Sequence, residues 1–254
     1  MKILQSLDEK KNDIIVGRNS VKEALLSDRD IDSIFISKGE KSGAILNIIK
    51  IAKERNIIIK EVDIKKLELL SEGASHQGII ARVAFHEYST VEDILNSAEN
   101  RGEPPFIIIA SEIEDPHNLG AIIRTAECVG AHGVIIPKRR AVGLTYAVNK
   151  VSSGAVEYMP VARVTNLATT IDSLKEKDIW VYCADMDGQS WCRADLTGAT
   201  ALVIGSEGKG VGRLIKSKCD GVLSLPIKGK INSLNASVAG GVLMYEILRQ
   251  RMGN

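Results

Sequence analysis

The sequence predicts an α/β protein made of two units. Short apolar runs alternate with amphipathic stretches over residues 13–88, and the same alternation resumes at residue 106. Between them, residues 89–103 are polar and lead to Pro104-Pro105. Alternating strand-like and helix-like segments are typical of sheets covered by helices. We therefore predict one unit over residues 1–88, a linker with one short helix over residues 89–103, and a second unit over residues 104–254.

The first unit contains four predicted strands and three predicted helices. The strands are Ile14–Val16, Ser33–Ser37, Ile57–Val62 and Gly78–Ala84. The helices are Ser20–Leu26, Ala44–Arg55 and Lys65–Ser71. Ser20 is followed three residues later by Glu23, which is the pattern of a capping box. We therefore expect Ser20 to cap the first helix.

The second unit contains five predicted strands and ends in a long helix. The strands are Phe106–Ala110, Gly133–Pro137, Ile179–Ala184, Ala201–Gly205 and Gly221–Leu225. Helical stretches separate them, and the last helix covers Asn235–Arg251. This alternation favours a mainly parallel sheet with helices on both faces. In such sheets, ligands bind at the carboxyl ends of the strands.

The net charge excludes a general attraction to polyanions. The chain of 254 residues carries a formal charge of +1, with ordinary hydrophobic (44%) and charged (26%) fractions. Contact with nucleic acid must therefore come from local patches. The candidates are Lys138-Arg139-Arg140 and residues 209–230, whose only acid is Asp220 and whose basic residues are Lys209, Arg213, Lys216, Lys218, Lys228 and Lys230.

Cysteine usage and hydropathy favour a reducing, aqueous compartment. The four cysteines form no Cys-x-x-Cys pair and have no histidine at metal-ligand spacing; they are Cys128, Cys183, Cys192 and Cys219. We expect structural thiols and no metal site. The segment MKILQSLDEKKND at the start has no apolar stretch of signal-peptide length, and no apolar run approaches membrane-spanning length. We therefore expect a cytoplasmic protein.

The loops after two strands in the second unit are rich in small polar residues. The apolar runs LVIG and VLSLP each end in a loop of Gly, Ser, Asn and Lys, and the last helix begins on SLNAS. The glycines do not follow G-x-G-x-x-G, and neither Lys209 nor Lys230 completes a Walker A pattern. A small ligand bound in another way is therefore expected.

Three segments of the second unit occur in a specific order and spacing. They are NLGAIIRTA at 118–126, closing on Gly133-Val134-Ile135; LVIGSEGKG at 202–210; and Leu225-Pro226 followed by SLNASVA at 233–239. Together they resemble the three motifs of the SpoU (TrmH) family of RNA ribose 2′-O-methyltransferases. In the first unit, VGRNSV at 16–21 and HQGI at 76–79 resemble the substrate-binding domain that often precedes the family's catalytic domain.

The resemblance implies a fold, a cofactor and partners. The first unit would be an α/β sandwich similar to ribosomal protein L30e, which binds RNA. The second would be a SPOUT domain with a parallel sheet and a deep trefoil knot near its carboxyl end, a feature that general rules of chain topology disfavour. S-adenosylmethionine would be the cofactor. The family is typically homodimeric, and an apolar stripe on the last helix fits an interface or a core equally well: Val238, Val242, Tyr245 and Leu248.

The resemblance also implies which residues form the site. The catalytic set would be Arg124, Asn118, Glu207, Ser233 and Asn235. Backbone groups of Gly205, Leu225 and Leu234 would bind the cofactor. Because a guanidinium stays protonated, we expect Arg124 to act as a fixed cation that stabilises the developing alkoxide or holds the 3′-phosphate.

Each assignment has a structural alternative. Arg124 fits a surface residue on an apolar helix, and Asn118 a helix N-cap. Glu207 would orient Arg124 or the target nucleoside, and its alternative is a surface loop carboxylate. Ser233 and Asn235 fit caps of the last helix.

The expected reaction is 2′-O-methylation of a ribose, with a guanosine in 23S rRNA as the predicted target. Family members with an L30e-like domain often act on large-subunit rRNA, so the expected partner is that rRNA or a pre-ribosomal particle. Three alternatives stay open: a tRNA ribose methyltransferase, an antibiotic-resistance rRNA methyltransferase, and a non-catalytic RNA-binding protein of ribosome assembly.

Overall fold

The chain forms two compact units. The computed structural model describes residues 13–27, 29–39, 42–231 and 233–253. Contacts group residues up to Glu87, with Gly143–Tyr146, into unit 1, and Tyr88–Val142 with the residues from Ala147 onward into unit 2. The segment before Asp13, for which we predict no signal peptide, lies outside these ranges. Within the described ranges, no helix is both long and apolar enough to cross a bilayer.

Unit 1 is a four-stranded mixed sheet with three helices. The strands are β1 (Ile14–Val16), β2 (Ile31–Ser37), β3 (Ile58–Val62) and β4 (Ile79–Val83). The helices are α1 (Arg18–Leu26), α2 (Gly43–Glu54) and α3 (Ile64–Ser71). The strand order is β1-β4-β2-β3, with β4 antiparallel to both of its neighbours and β2 parallel to β3.

Successive side chains of β2 are buried on opposite faces of the unit 1 sheet. Ile34 and Ile36 pack in one cluster with residues of α1 and α2. Phe35 packs in a second cluster with Leu67 of α3 and Ile80 of β4. Because neighbouring residues of a strand point to opposite faces, helices cover both sides of the sheet. The predicted α/β sandwich is therefore confirmed.

Unit 2 is built on a six-stranded sheet in which every neighbouring pair is parallel. The strands are β5 (Phe106–Ala110), β6 (Gly133–Pro137), β7 (Val161–Val164), β8 (Trp180–Ser190), β9 (Thr200–Ile204) and β10 (Gly221–Ser224), in the order β10-β8-β9-β5-β6-β7. The predicted parallel sheet is confirmed. The sequence interpretation missed β7, a strand of four residues whose apolar sequence is interrupted by Arg163.

Helices cover both faces of the unit 2 sheet. They are α4 (Val91–Arg101), α5 (Pro116–Cys128), α6 (Tyr146–Val151), α7 (Leu167–Lys175), α8 (Arg213–Lys218) and α9 (Ala236–Arg251). On one face, Ile94 of α4 and Ile171 of α7 pack with Val203 of β9. On the other, α9 lies so close to β9 that a Cβ on Gly240 would fall 2.4 Å from Ile204 Cδ1. The predicted trefoil knot stays a prediction.

Two local features differ from the sequence predictions. Ser20 lies inside α1, which starts at Arg18 after Gly17, whose φ of 93° favours glycine. Residues 89–103 do contain one helix, with Thr90 and Asp93 forming its capping box. However, Ile94 and Ala98 of that helix are buried, and Ile94 belongs to the core of unit 2. This segment is thus part of unit 2 and not a free linker.

Candidate active site

A cavity of about 280 Å³ opens at the carboxyl ends of three neighbouring strands, β10, β8 and β9. Parallel strands deliver their following loops to one edge of the sheet, which explains why separate segments meet here. The predicted cofactor residues Gly205, Leu225 and Leu234 all line it, as do Glu207 and Ser233 of the predicted catalytic set. Apolar side chains from β9, β10 and α9 complete the wall: Ile204, Leu223 and Leu243.

The loop after β9 folds tightly against itself. A Cβ on Gly205 would lie 2.2 Å from Gly210 C and 2.4 Å from Val211 N, so no side chain fits there. Gly208 and Gly210 have φ of 79° and 63°, a region that favours glycine. The glycines of GSEGKG therefore shape the loop and leave its backbone facing the cavity.

Three predicted site residues form one hydrogen-bonded network beside the cavity. Asn118 Nδ2 donates to Glu207 Oε1 at 3.1 Å, and Asn235 Nδ2 donates to Asn118 Oδ1 at 2.8 Å. Asn235 Nδ2 also contacts Glu207 Oε1. Asn118 lies in α5, Glu207 in the loop after β9, and Asn235 at the start of α9. Along the chain, Glu207 is 89 residues and Asn235 is 117 residues from Asn118.

The hydrogen bonds at the starts of α5 and α9 test the N-cap alternatives for Asn118 and Asn235. The N-cap of α5 is Asp115, which accepts from the His117 backbone N–H at 3.0 Å, whereas Asn118 is buried inside the helix. The N-cap alternative for Asn118 is therefore wrong. Asn235 does cap α9, because its Oδ1 accepts from the backbone N–H groups of Ser237 and Val238. Its amide nitrogen is still available to the network.

Arg124 lies outside this cluster. It is exposed on α5, six residues beyond Asn118, which is about 9 Å along a helix axis. Among the described residues, Arg124 has no hydrogen bond or ion pair, and no bond joins it to Glu207. The interpretation that Glu207 orients Arg124 therefore gains no support, and the guanidinium is available to another molecule.

Sequence reasoning missed Asp185 and Met186, which also line the cavity. Asp185 Oδ2 accepts from Lys216 Nζ at 2.9 Å, and its Oδ1 accepts from the Met186 backbone N–H at 2.6 Å. Burial alone would raise the pKa of Asp185, but the Lys216 hydrogen bond and the backbone amide outweigh it, so the pKa lies below its usual value. The signal was their position directly after an apolar run predicted as a strand.

Part of the predicted basic segment at 209–230 is neutralised. Lys216 pairs with Asp185, and Lys218 pairs with Asp172 at 2.6 Å. Outside that segment, Arg140 pairs with Glu112 at 3.2 Å. Within the segment 209–230, the exposed cations without an ion pair to another described residue are Lys209, Arg213, Lys228 and Lys230. The positive charge that this segment offers to a polyanion thus lies in the loops after β9 and β10 and at the start of α8.

A cavity at the carboxyl edge of a parallel sheet, flanked by a network of polar side chains, is typical of an α/β enzyme that binds a small ligand. Comparison with known proteins identifies the family. The profile of the SpoU rRNA methylase family matches residues 105–245, and that of the RNA 2′-O ribose methyltransferase substrate-binding domain matches residues 14–89. The chain belongs to the SpoU family of RNA methyltransferases, enzymes that use S-adenosylmethionine.

Individual relatives agree with this assignment. A Bacillus subtilis (strain 168) protein, YacO, whose name places it among TrmH family tRNA/rRNA methyltransferases, is 50% identical over 95% of this chain and 97% of its own. The SpoU methyltransferase AviRb from Streptomyces viridochromogenes, solved with AdoMet, has a TM-score of 0.60 at 22% identity over 95% of this chain and 91% of its own. The A. aeolicus TrmH/SpoU tRNA modifying enzyme has a TM-score of 0.55 at 26% identity, over 59% of this chain and 77% of its own.

Proposed function

We propose that this protein transfers a methyl group from S-adenosylmethionine to the 2′-hydroxyl of a ribose, and that the target is a guanosine in 23S rRNA. The observation that carries the proposal is the placement of the Asn118–Glu207–Asn235 network beside the 280 Å³ cavity. A methyl donor and a ribose must meet in line for this reaction. The cavity offers a place for the donor, and the network offers hydrogen-bonding groups for the ribose.

The cavity fits the cofactor chemically. Gly205, Leu225 and Leu234 line it, and their main-chain groups would pair with the edge of an adenine, while the surrounding aliphatic side chains suit the ring faces. Gly205 supports the fit, since its missing side chain lets the loop pack closely on itself at the cavity wall. When bound, S-adenosylmethionine supplies the methyl group.

The protein's own residues would orient the ribose and stabilise charge. Asn118, Glu207, Ser233 and Asn235 would hold the nucleoside through hydrogen bonds. Arg124, as an exposed cation without a partner among the described residues, would hold the adjacent phosphate and stabilise the alkoxide that forms as the hydroxyl loses its proton. The proton would leave through that phosphate or a water molecule, because a guanidinium does not accept it.

The domain composition favours rRNA over tRNA. Unit 1 carries the substrate-binding profile over residues 14–89. The tRNA modifying enzyme matches only 59% of the chain, whereas an rRNA methyltransferase from Sinorhizobium meliloti matches 96%. We propose that the protein acts like the 23S rRNA (guanosine-2′-O)-methyltransferase RlmB, whose overall pattern its sequence resembles. The name of the Bacillus subtilis relative includes both tRNA and rRNA, so tRNA is the alternative that the experiment must separate.

We further propose that the enzyme works in the cytoplasm as a homodimer on large-subunit rRNA or a pre-ribosomal particle. Val238, Val242 and Tyr245 are 52%, 38% and 54% exposed on α9. Their spacing places them on one side of the helix, as an interface between copies would require. Leu248 of the predicted stripe is half-buried and contributes less.

The test is to incubate the purified protein with isotopically methyl-labelled S-adenosylmethionine and either 23S rRNA or total tRNA, and to identify the labelled nucleoside. We expect 2′-O-methylguanosine from 23S rRNA only. Label in tRNA would favour the tRNA alternative. If neither RNA is labelled and calorimetry detects no binding of S-adenosylhomocysteine, a non-catalytic assembly protein would be favoured. Mapping ribose methylation in cells with and without the protein would locate the nucleotide and detect an antibiotic-resistance site.

A further inference from the structure

Strand β8 contains a large bulge that faces the cavity. Cys183 lies opposite Val222 of β10, but the next residue of β10, Leu223, lies opposite Gln189. Residues 184–188 therefore have no partner on β10. A Cβ on Gly188 would fall 2.4 Å from Val222 O, so the bulge closes against β10 only with a glycine there. Bulges beside binding sites redirect side chains, and this one directs Asp185 to the cavity wall.

Asp185 is held in a fixed orientation by its neighbours. Lys216 Nζ lies 2.9 Å from Oδ2, and the Met186 backbone N–H donates to Oδ1 at 2.6 Å. The side chain is 19% exposed and that of Lys216 is 30% exposed. Each carboxylate oxygen keeps a further lone pair for another donor. Because Lys216 already balances the carboxylate, the pair favours neutral hydroxyl donors over a second cation.

The sheet order indicates which part of an S-adenosyl ligand would meet Asp185. Strand β8 lies between β10 and β9, so Asp185 lies between Leu225 and Gly205, the proposed adenine contacts. The ribose is the group attached directly to adenine. We propose that Asp185 binds the 2′,3′-diol of the cofactor ribose and is kept in position by Lys216. This inference rests on the proposed function, because it assumes that the cavity takes an S-adenosyl ligand.

Calorimetry with three ligands tests the assignment. S-adenosylhomocysteine carries both the ribose diol and an ammonium group, 5′-methylthioadenosine carries the diol alone, and 5′-methylthio-2′,3′-dideoxyadenosine carries neither. We expect Asp185→Asn to weaken the first two ligands by the same factor, about 10- to 100-fold, as for a hydrogen bond to a charged group. The variant should bind the dideoxy ligand with the same affinity as the wild-type protein. The wild-type protein should bind the dideoxy ligand about as weakly as Asp185→Asn binds methylthioadenosine.

The neighbouring Asp187→Asn is the matched control, because it removes the same charge from the same bulge at an exposed residue that does not line the cavity. It should leave all affinities unchanged. If Asp185→Asn weakened the binding of S-adenosylhomocysteine but not of methylthioadenosine, Asp185 would be assigned to the ammonium group and the proposal would be overturned. Equally weakened binding of the dideoxy ligand would also overturn it. If Asp185→Asn melts early, Asp185→Ser repeats the comparison. Failure of wild-type protein to bind any of the ligands would instead overturn the proposed function.

Discussion

The two units use their motif residues in different ways. In unit 1, the two motif segments join each other mainly through the backbone: Arg18 N donates to Gln77 Oε1 at 3.2 Å, Arg18 Nε donates to Gln77 O at 2.9 Å, and Gly17 N donates to Ile79 O. In unit 2, motif side chains bond to one another beside a cavity. The motif contacts of unit 1 thus hold two backbone segments together, whereas those of unit 2 hold side chains beside a cavity. We expect recognition to depend on the first and chemistry on the second.

The largest expected effect concerns Arg124 of unit 2. Arg124→Ala should reduce methyl transfer by at least about 10³-fold, because the variant lacks the cation that we propose stabilises the alkoxide. S-adenosylhomocysteine affinity and melting temperature should stay at wild-type values, since Arg124 is exposed and does not line the cavity. Arg124→Lys should also be nearly inactive, because an ammonium lacks the planar fork. Single-turnover assays measure this, and a lysine variant with near wild-type turnover would contradict the role of the fork.

The next largest effect concerns the loop after β9. Gly205→Val should abolish detectable S-adenosylhomocysteine binding. A branched side chain would enter the proposed cofactor site, and its Cβ alone would meet the loop backbone at 2.2 Å. The loop must therefore open, at a cost of roughly 1–3 kcal/mol in unfolding free energy.

Gly212→Ala is the matched control for Gly205→Val. It lies in the same segment with a φ of −55° and no atom within 4 Å of the added Cβ. Calorimetry and thermal melting should show it unchanged. A folded Gly205→Val variant that binds normally would show that the cavity is not the cofactor site.

Site residues that follow regular strands could be predicted from the sequence, whereas those on an irregular strand could not. The parallel sheet and the meeting of Gly205, Leu225 and Leu234 were predictable, because loops after parallel strands share one edge. Asp185 was not, because its placement depends on a bulge set by close packing of Gly188 on β10. The boundary of unit 2 was misjudged because the polar pattern of residues 89–103 hides the buried Ile94.

A fragment beginning at Tyr88 tests the division between the units. We expect residues 88–254 to fold, to bind S-adenosylhomocysteine with wild-type affinity, and to lose about 10- to 100-fold in affinity for a large-subunit rRNA fragment. Loss of phosphate contacts with unit 1 should also flatten the salt dependence, by roughly 0.7–0.9 in logarithmic slope per contact. Filter binding across a salt series measures both. Equal affinities and slopes for the fragment and the full chain would contradict a substrate-binding role for unit 1.

A shorter fragment serves as its control. Residues 104–254 lack Ile94, whose side chain packs so closely on Gly133 that an added Cβ there would lie 2.4 Å from it. Removing this buried side chain and its helix should lower the unfolding free energy by at least about 2–5 kcal/mol. Urea unfolding of the two fragments would show this, and equal midpoints would mean that residues 89–103 are a linker after all.

The smallest expected effect is a pH dependence confined to unit 2. Burial above all, with help from Arg101, lowers the pKa of His132, although the contact with Glu103 opposes this. The unfolded chain therefore binds a proton more readily than the folded one, so stability is complete above about pH 6.5 and falls as the pH drops below it. In unit 1, burial raises the pKa of Asp13, so its effect on stability lies in the acid range and has the opposite sign.

The variant His132→Asn tests this dependence, because it offers an acceptor for the Phe106 N–H that now donates to His132 Nδ1 at 2.9 Å. Urea midpoints of the 88–254 fragment should rise between pH 5.5 and 7.5, and this variant should reduce the slope; an unchanged slope would assign the dependence to other groups.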